Sequence, residues 1–287
     1  MIRTSRQLKA LVRNMSGSDS AKAQIIIRNY IMERFLERLS LSQYRDHLIL
    51  KGGVLVSAMV GLDNRSTMDV DATMKNHPLS LETAKEIIAE IVATPVDDGI
   101  SFEIKSVEAI MDEAEYGGIR LSLDALLESM KTPLKIDLST GDEITPKEIS
   151  YEFKLMFEDR TISILAYNLE TVLAEKLETI ITKGTANTRM RDYYDLYILQ
   201  KYQSSNIDKA ILAKAFANTC QKRDSLDKAK QKDLILQEIH ENQGMQQLWL
   251  NYGQRFDYAK DIAWNDIMDS ARILLDDIWQ TRWAKQS

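Results

Sequence analysis

The 287 residues include only one cysteine and four prolines, and no apolar run approaches the roughly 18 residues of a membrane span. A single cysteine cannot form an intramolecular disulfide, which excludes a disulfide-stapled secreted module. We interpret Cys220 as a packing residue. The N-terminus runs into an amphipathic pattern and not into an apolar signal segment. We therefore expect a soluble, cytoplasmic protein with no membrane partner.

All four prolines lie between residues 78 and 146, so both ends of the chain are free to form helices. Apolar residues at helical spacing predict two helices before residue 40 and a long terminal helix around 267–278. Alternating runs in the centre predict strands, and a helix is expected at 81–93. The strand candidates are residues 67–72, 100–104, 119–123 and 134–138.

These patterns predict an α+β fold in three parts. We expect N-terminal helices over residues 1–47 and a mixed-sheet core over residues 48–167. A C-terminal helical domain is expected over residues 168–287.

Excess positive charge is also absent, because 37 Lys and Arg stand against 43 Asp and Glu. A net charge of -6 excludes nucleic-acid binding through a field over the whole molecule. Residues 1–50 nevertheless carry +5, which leaves -11 for the rest. These cations are either an exposed helix surface or a basic arm for phosphate. A second basic cluster contains Lys222, Arg223, Lys228, Lys230 and Lys232.

The strongest chemical pattern is Asp69-Val70-Asp71. Side chains two apart on a strand share a face, so both carboxylates point one way, and Met68, Val70 and Ala72 are expected to point into the core. Mg²⁺ suits such a pair, because it binds one or two carboxylates together with substrate phosphates. Taken alone, the Asp-x-Asp pattern is weak and is more typical of an exposed strand face.

A diglycine precedes this pair. Residues 48–53 predict a short strand that ends in Gly52-Gly53, followed by a short helix over 54–60, a turn at which backbone N–H groups can approach an anion. It is neither a Walker loop nor a dinucleotide fingerprint. Asp137 follows on a later strand, with Lys135 on the same face. This order is the minimal nucleotidyltransferase arrangement of the DNA polymerase beta superfamily, in which three carboxylates hold two metals.

Two further charged residues lie on predicted helices. Asn168 is a helix N-cap, and Lys176 falls within the apolar stripe of that helix. Lys176 either extends its ammonium to solvent or offsets phosphate charge. Asp192 lies in the next predicted helix, over residues 188–197, where an ion pair with Arg189 is the alternative to a functional role.

Together these motifs resemble the AbiEii/AbiGii toxin family of nucleotidyltransferase-like proteins, over roughly residues 1–200. That family is the toxin half of abortive-infection toxin–antitoxin pairs and is related to the MenT toxins. The motifs are residues 50–53, 65–71, 114–120, 135–142, 174–178 and 189–196.

The resemblance implies metal-binding and catalytic roles for Asp69 and Asp71, a nucleotide contact for Lys176 and an essential acidic role for Asp192, with Asp137 as the third metal ligand. The implied cofactor is Mg²⁺ or Mn²⁺, and the implied co-substrate is an NTP. Where the superfamily has Gly-Ser, this chain has Gly52-Gly53, and its nearest serine is Ser57. The nucleotide-binding candidates are Lys51, Gly52, Gly53, Ser57, Arg65, Ser66, Thr67 and Lys176.

The expected reaction is transfer of a nucleoside monophosphate from an NTP, with pyrophosphate leaving. By analogy with MenT toxins the acceptor is the 3′ end of tRNA, and the effect is growth inhibition that limits phage. The implied partner is an AbiEi-like antitoxin that acts with or without direct contact. The alternatives are a nucleotidyltransferase that modifies a small molecule or a protein hydroxyl, and a non-catalytic interaction protein on the same fold.

Overall fold

A computed structural model describes residues 1–111 and 117–282 of the chain. Residues 114–116 of the third motif and Trp283 therefore lie outside the described residues. The chain divides into two compact units. Unit 1 consists of Met1–Ala58, Ser66–Asp142 and Ile149–Ala166, and unit 2 consists of Met59–Arg65, Glu143–Glu148 and Tyr167–Ser287.

Unit 1 contains a mixed seven-stranded sheet with the strand order β3-β4-β5-β2-β1-β7-β6. Strands β1/β7 and β2/β5 pair in parallel, and the other neighbours are antiparallel. The predicted α+β class with a mixed sheet is confirmed. The strands are β1 (Leu48–Lys51), β2 (Asp69–Met74), β3 (Ile100–Met111), β4 (Gly117–Leu127), β5 (Met130–Thr140), β6 (Ile149–Lys154) and β7 (Thr161–Ala166).

Four helices accompany the sheet: α1 (Ser5–Ser16), α2 (Ser20–Leu41), α3 (Gly52–Val60) and α4 (Leu81–Ala93). The two predicted N-terminal helices and the predicted helix 81–93 are all present. Side chains satisfy the first backbone N–H groups, with capping boxes at Thr4 and Ser80. Helix α2 contacts β5 and β7, and α4 contacts β3 and β4.

Two of the N-terminal cations belong to the interior of unit 1. Arg34 pairs with Glu37 and Glu158, and Arg38 binds Asp98, all at 3.1 Å or less. Helix α2 is buried along most of its second half, so its arginines face acidic partners from distant segments. The basic charge that the sequence assigns to residues 1–50 is therefore less exposed than its sum indicates.

The strand β2 carries the Asp69-Val70-Asp71 pattern, and its alternation is as predicted except at one end. Val70 and Ala72 are buried, and Asp69 and Asp71 lie partly exposed on the other face. The expectation for Met68 is wrong, because this side chain is 45% exposed. Met68 precedes the first residue of β2, so the alternation of the strand does not govern it.

Unit 2 is helical after residue 166 and contains α5 (Leu169–Lys183), α6 (Met190–Gln203), α7 (Lys209–Lys222), α8 (Leu226–Ala229), α9 (Lys232–Glu241), α10 (Gln243–Arg255) and α11 (Trp264–Arg282). Asn168 caps α5 as predicted, accepting from the Thr171 N–H, and Cys220 is buried in α7 as a packing residue. Across residues 1–111 and 117–282, none of the helices has both the length and the apolar character that a membrane span needs.

Candidate active site

Four charged residues lie side by side on four adjacent strands of unit 1. Lys51 on β1 is opposite Asp71 on β2, Asp71 is opposite Asp137 on β5, and Asp137 is opposite Arg120 on β4. Directly opposed residues share a face of the sheet. We call these four residues the charge row; its order across the sheet is positive, negative, negative, positive.

Asp71 lies at the centre of the charge row. Burial, followed by repulsion from Asp137, raises the pKa of Asp71 to about 6, although Lys51 and the Gly53 N–H act in the opposite direction. Two carboxylates directly opposite each other destabilise a sheet unless positive charge compensates them. A cation bound at Asp69 and Asp71 would therefore relieve this repulsion.

Both cations of the charge row are engaged with carboxylates. The Arg120 guanidinium donates from Nε and Nη2 to the two oxygens of Asp137, at 2.8 and 2.6 Å. The Lys51 ammonium donates to Asp142 at 2.6 Å, and the Ser139 hydroxyl donates to the same oxygen. Burial favours a higher pKa for Asp142, but the charge of Lys51 and the hydrogen bonds from Lys51 and Ser139 together lower the pKa.

The diglycine turn is shaped around Asp71. Gly52 has φ +65°, a conformation that glycine adopts at little cost, and a Cβ built there would overlap the Asp71 carboxylate. The Gly53 N–H donates to Asp71 Oδ2 at 3.3 Å. The turn that the sequence predicts for anion binding therefore holds the carboxylate of Asp71 in place.

Replacing Gly52 by alanine is expected to displace Asp71 and to abolish transfer, because the new methyl group and the carboxylate cannot occupy the same space. Gly17→Ala is the matched control, since Gly17 has φ +60° and its new methyl group would meet no atom within 4 Å. Backbone strain is expected to destabilise both variants by about 1–3 kcal/mol, measured by chemical denaturation. Only Gly52→Ala should lose activity in a nucleotide-transfer assay; equal activities would contradict the assigned role of this turn.

The donor chemistry of Asp69 and Asp71 fits Mg²⁺ or Mn²⁺, which take carboxylate oxygens together with water and phosphate. Within the two described stretches, no group of three or more His, Cys, Asp or Glu side chains could by itself hold a metal ion. A metal here would therefore take part of its ligands from water and substrate. The third predicted ligand, Asp137, is next to Asp71 and is bound by Arg120.

The remaining nucleotide-binding candidates near β2 and α3 are largely enclosed. Ser57, Ser66 and Thr67 are all buried. In unit 2, Arg65 forms an ion pair with Asp195 at 2.7 Å, and the two side chains are 1% and 0% exposed. The nucleotide contacts predicted for these four residues stay predictions.

The buried cluster of unit 2 joins α5 and α6. The Lys176 ammonium lies 2.9 Å from Asp192 and 2.8 Å from Asp195, and the Arg65 guanidinium donates to both oxygens of Asp195. Asp192 also pairs with Arg189 at 3.3 Å, the alternative that the sequence left open. Burial favours a neutral Asp195, but Arg65 and Lys176 outweigh it and lower its pKa to about 2.

The second basic cluster of the sequence is largely neutralised within unit 2. Arg223 binds Glu175 and Glu178, Lys230 binds Asp227, and the buried Lys232 contacts Asp276. In unit 1, by contrast, Arg6, Lys9 and Arg13 lie exposed on α1. These three side chains therefore form a row of exposed cations that is available to a polyanion.

Three residues of the site have no role in the sequence-based prediction: Arg120, Asp142 and Asp195. Asp195 follows Asp192 by three residues on the same helix, a spacing that indicates a shared face. Arg120 and Asp142 lie within motifs of the resemblance, but their partners depend on strand register and loop path. No local pattern in the sequence gives that information.

Comparison with known proteins matches the chain to a family and to solved structures. Residues 34–286 match the family described as nucleotidyl transferase AbiEii toxin, type IV TA system. No curated protein sequence matches the chain. A structure described as a candidate nucleotidyltransferase from Helicobacter pylori has a TM-score of 0.53 and 15% identity, covering 90% of this chain and 97% of its own. The JHP933 structure from Helicobacter pylori has a TM-score of 0.53 and 14% identity, covering 92% and 97%.

The two structures support the fold alone, because sequence identities of 15% and 14% are too low to carry function. The family match, by contrast, covers most of the chain. It includes every residue of the charge row and of the buried cluster in unit 2. The chain therefore belongs to the AbiEii toxin family of type IV toxin–antitoxin systems, and it is a nucleotidyltransferase.

Proposed function

We propose that this toxin transfers a nucleoside monophosphate from an NTP to a hydroxyl of RNA, with the 3′ end of tRNA as the acceptor. The observation that carries the proposal is the placement of Asp69 and Asp71 on one face of β2, with the Gly52-Gly53 turn fitted to Asp71. Membership in the family implies an NTP substrate and an antitoxin.

Asp69 and Asp71 would hold Mg²⁺ or Mn²⁺, which supplies positive charge to the triphosphate. The turn at Gly52 and Gly53 fixes the Asp71 carboxylate, and Lys51, which lies opposite Asp71, donates to Asp142. Such pre-organisation is the main contribution a protein makes to transfer at phosphorus. For Lys176 and Asp192 in unit 2 we keep, as proposals, the nucleotide contact and the acidic role that the family resemblance implies.

In the proposed reaction, the acceptor hydroxyl oxygen forms a bond to the α-phosphorus of the NTP. The bond between that phosphorus and the bridging oxygen breaks, and pyrophosphate leaves with the electron pair. The acceptor keeps a nucleoside monophosphate, and its hydroxyl proton is released to solvent. A tRNA extended in this way cannot be aminoacylated at its original end, which would inhibit growth and limit phage.

Incubation of the protein with each α-labelled NTP and total tRNA tests the acceptor. Label on RNA with the parent protein, and none with Asp69→Asn, supports the proposal. Label on a protein or on a small molecule would show that the acceptor hydroxyl belongs to that molecule and not to RNA. No label on any acceptor would leave the chain as a non-catalytic interaction protein and would contradict the proposal.

RNA binding is expected to depend on α1. Replacing Arg6, Lys9 and Arg13 by glutamine should weaken tRNA binding and flatten its salt dependence, because each phosphate contact contributes a log–log slope of roughly 0.9 on a duplex and 0.7 on a single strand. Replacing Lys85, Lys105 and Lys131 removes the same charge from other exposed positions of unit 1. If both triple variants bind tRNA with the same slope, α1 is not the RNA-binding surface.

For the antitoxin, we propose an AbiEi-like protein that neutralises toxicity without a stable complex. Co-expression should restore growth while affinity purification of the toxin recovers no antitoxin. Recovery of the two proteins in a defined stoichiometry would show direct contact instead.

A further inference from the structure

Arg120 binds Asp137, and the proposed reaction gives this contact no role. It lies directly opposite Asp137 in the β4–β5 ladder, and its guanidinium binds both carboxylate oxygens of Asp137. The bidentate geometry is the strongest form of an arginine–carboxylate pair. Asp137 is therefore bound by a cation within the protein itself.

The pair differs in its access to solvent from the buried arginine pair on α2. The Arg120 and Asp137 side chains are 36% and 18% exposed, whereas those of Arg38 and Asp98 are 3% and 0% exposed. A solvated ion pair contributes little to stability and exchanges its partner easily, while a buried pair resists separation. This comparison indicates an exchangeable contact at Arg120.

We infer that Arg120 is a positioning residue that occupies Asp137 until substrate binds, so that the free enzyme binds a divalent metal through Asp69 and Asp71 alone. The inference rests on the proposed function and deepens it. The guanidinium takes one lone pair on each oxygen of Asp137 and offsets its negative charge, and the same positive charge repels a metal at the neighbouring Asp71. An arriving triphosphate offers the guanidinium a new anionic partner and thereby releases Asp137.

The test measures Mn²⁺ binding to the full chain without nucleotide, by electron paramagnetic resonance of the free ion. Arg120→Gln removes the guanidinium, so Mn²⁺ should bind about tenfold more tightly than to the parent protein. Arg120→Gln combined with Asp137→Asn should lose that gain. Lys131→Gln is the matched control: Lys131 pairs with Asp124 at 2.7 Å on the same hairpin, and its removal should leave Mn²⁺ affinity unchanged.

If Arg120 had only a structural role, its replacement should weaken Mn²⁺ binding, because Asp137 would be misplaced. Unchanged or weaker Mn²⁺ binding by folded Arg120→Gln overturns the inference. If Arg120→Gln does not fold, Arg120→Lys replaces it: the lysine keeps the charge but cannot bind both oxygens, and a two- to threefold gain in affinity is expected. No gain there also overturns the inference.

A failure of the inference about Arg120 can be distinguished from a failure of the proposed function. If Asp69→Asn leaves the Mn²⁺ affinity of the parent unchanged, the metal site of the proposed function is wrong. If Asp69→Asn abolishes Mn²⁺ binding and Arg120→Gln has no effect, only the role of Arg120 is wrong.

Discussion

Replacing Asp69 or Asp71 by asparagine is expected to reduce nucleotide transfer by about 10³-fold or more, because each change removes a negative ligand from the proposed metal site. The rate of α-label transfer at saturating NTP measures this loss. Asp46→Asn is the control, since Asp46 is an exposed carboxylate of the same unit that pairs only loosely with Arg45, at 3.6 Å. Full transfer by either site variant would exclude the polymerase beta type of mechanism.

The Asp71→Asn variant should also be more stable than the parent in the absence of metal. In the parent, the folded-state pKa of Asp71, about 6, lies above the ordinary value of 3.8. The Asp71 carboxyl therefore favours the folded state at low pH and loses that contribution as pH rises through about 6. At pH 7 the substitution should stabilise unit 1 by roughly 1–3 kcal/mol. The difference should vanish below about pH 4, and its absence at pH 7 would show that Asp71 is not strained.

The second large effect concerns Arg65 and Asp195. Asp195→Asn or Arg65→Met is expected to destabilise unit 2 by about 3–5 kcal/mol, because each removes one member of a buried ion-pair cluster and leaves its charges out of balance. All four tryptophans of the chain lie after residue 248, within the residues of unit 2, so tryptophan fluorescence during urea denaturation reports this unit.

The contribution of Asp195 to stability depends on pH with the opposite sign to the contribution of Asp71. The pKa of Asp195 is lowered to about 2, so the contribution of the pair is complete above about pH 4 and is lost as pH falls toward 2. Asp227→Asn provides the comparison, because Asp227 is an exposed carboxylate of the same unit, and it should leave the unfolding free energy nearly unchanged. A small effect at Asp195 would mean that the cluster relaxes to admit water.

Residues whose role follows from local periodicity could be predicted from the sequence. The shared face of Asp69 and Asp71 follows from strand alternation, and the cap at Asn168 follows from helix-start chemistry. The turn at Gly52 was also recognisable, because a diglycine between a strand and a helix indicates an unusual backbone conformation.

Pairings between distant segments could not be predicted in this way. The side chains of β7 alternate in burial as those of a strand should, but this alternation does not reveal the partner strand. In the structure β7 pairs in parallel with β1, and Leu50 lies opposite Ala166. The burial of Arg34 depends on Glu158, 124 residues away, and the contact of Arg120 with Asp137 depends on the register of β4 and β5. Each of these is a tertiary contact that helix or strand periodicity does not encode.

Parallel assays with α-labelled and γ-labelled NTP test the central claim most directly. The proposed transfer predicts that α-label appears on the acceptor, that γ-label leaves entirely as pyrophosphate, and that Asp69→Asn abolishes both products. Transfer of γ-label to the acceptor, release of γ-label as inorganic phosphate, or full α-label transfer by Asp69→Asn would contradict it.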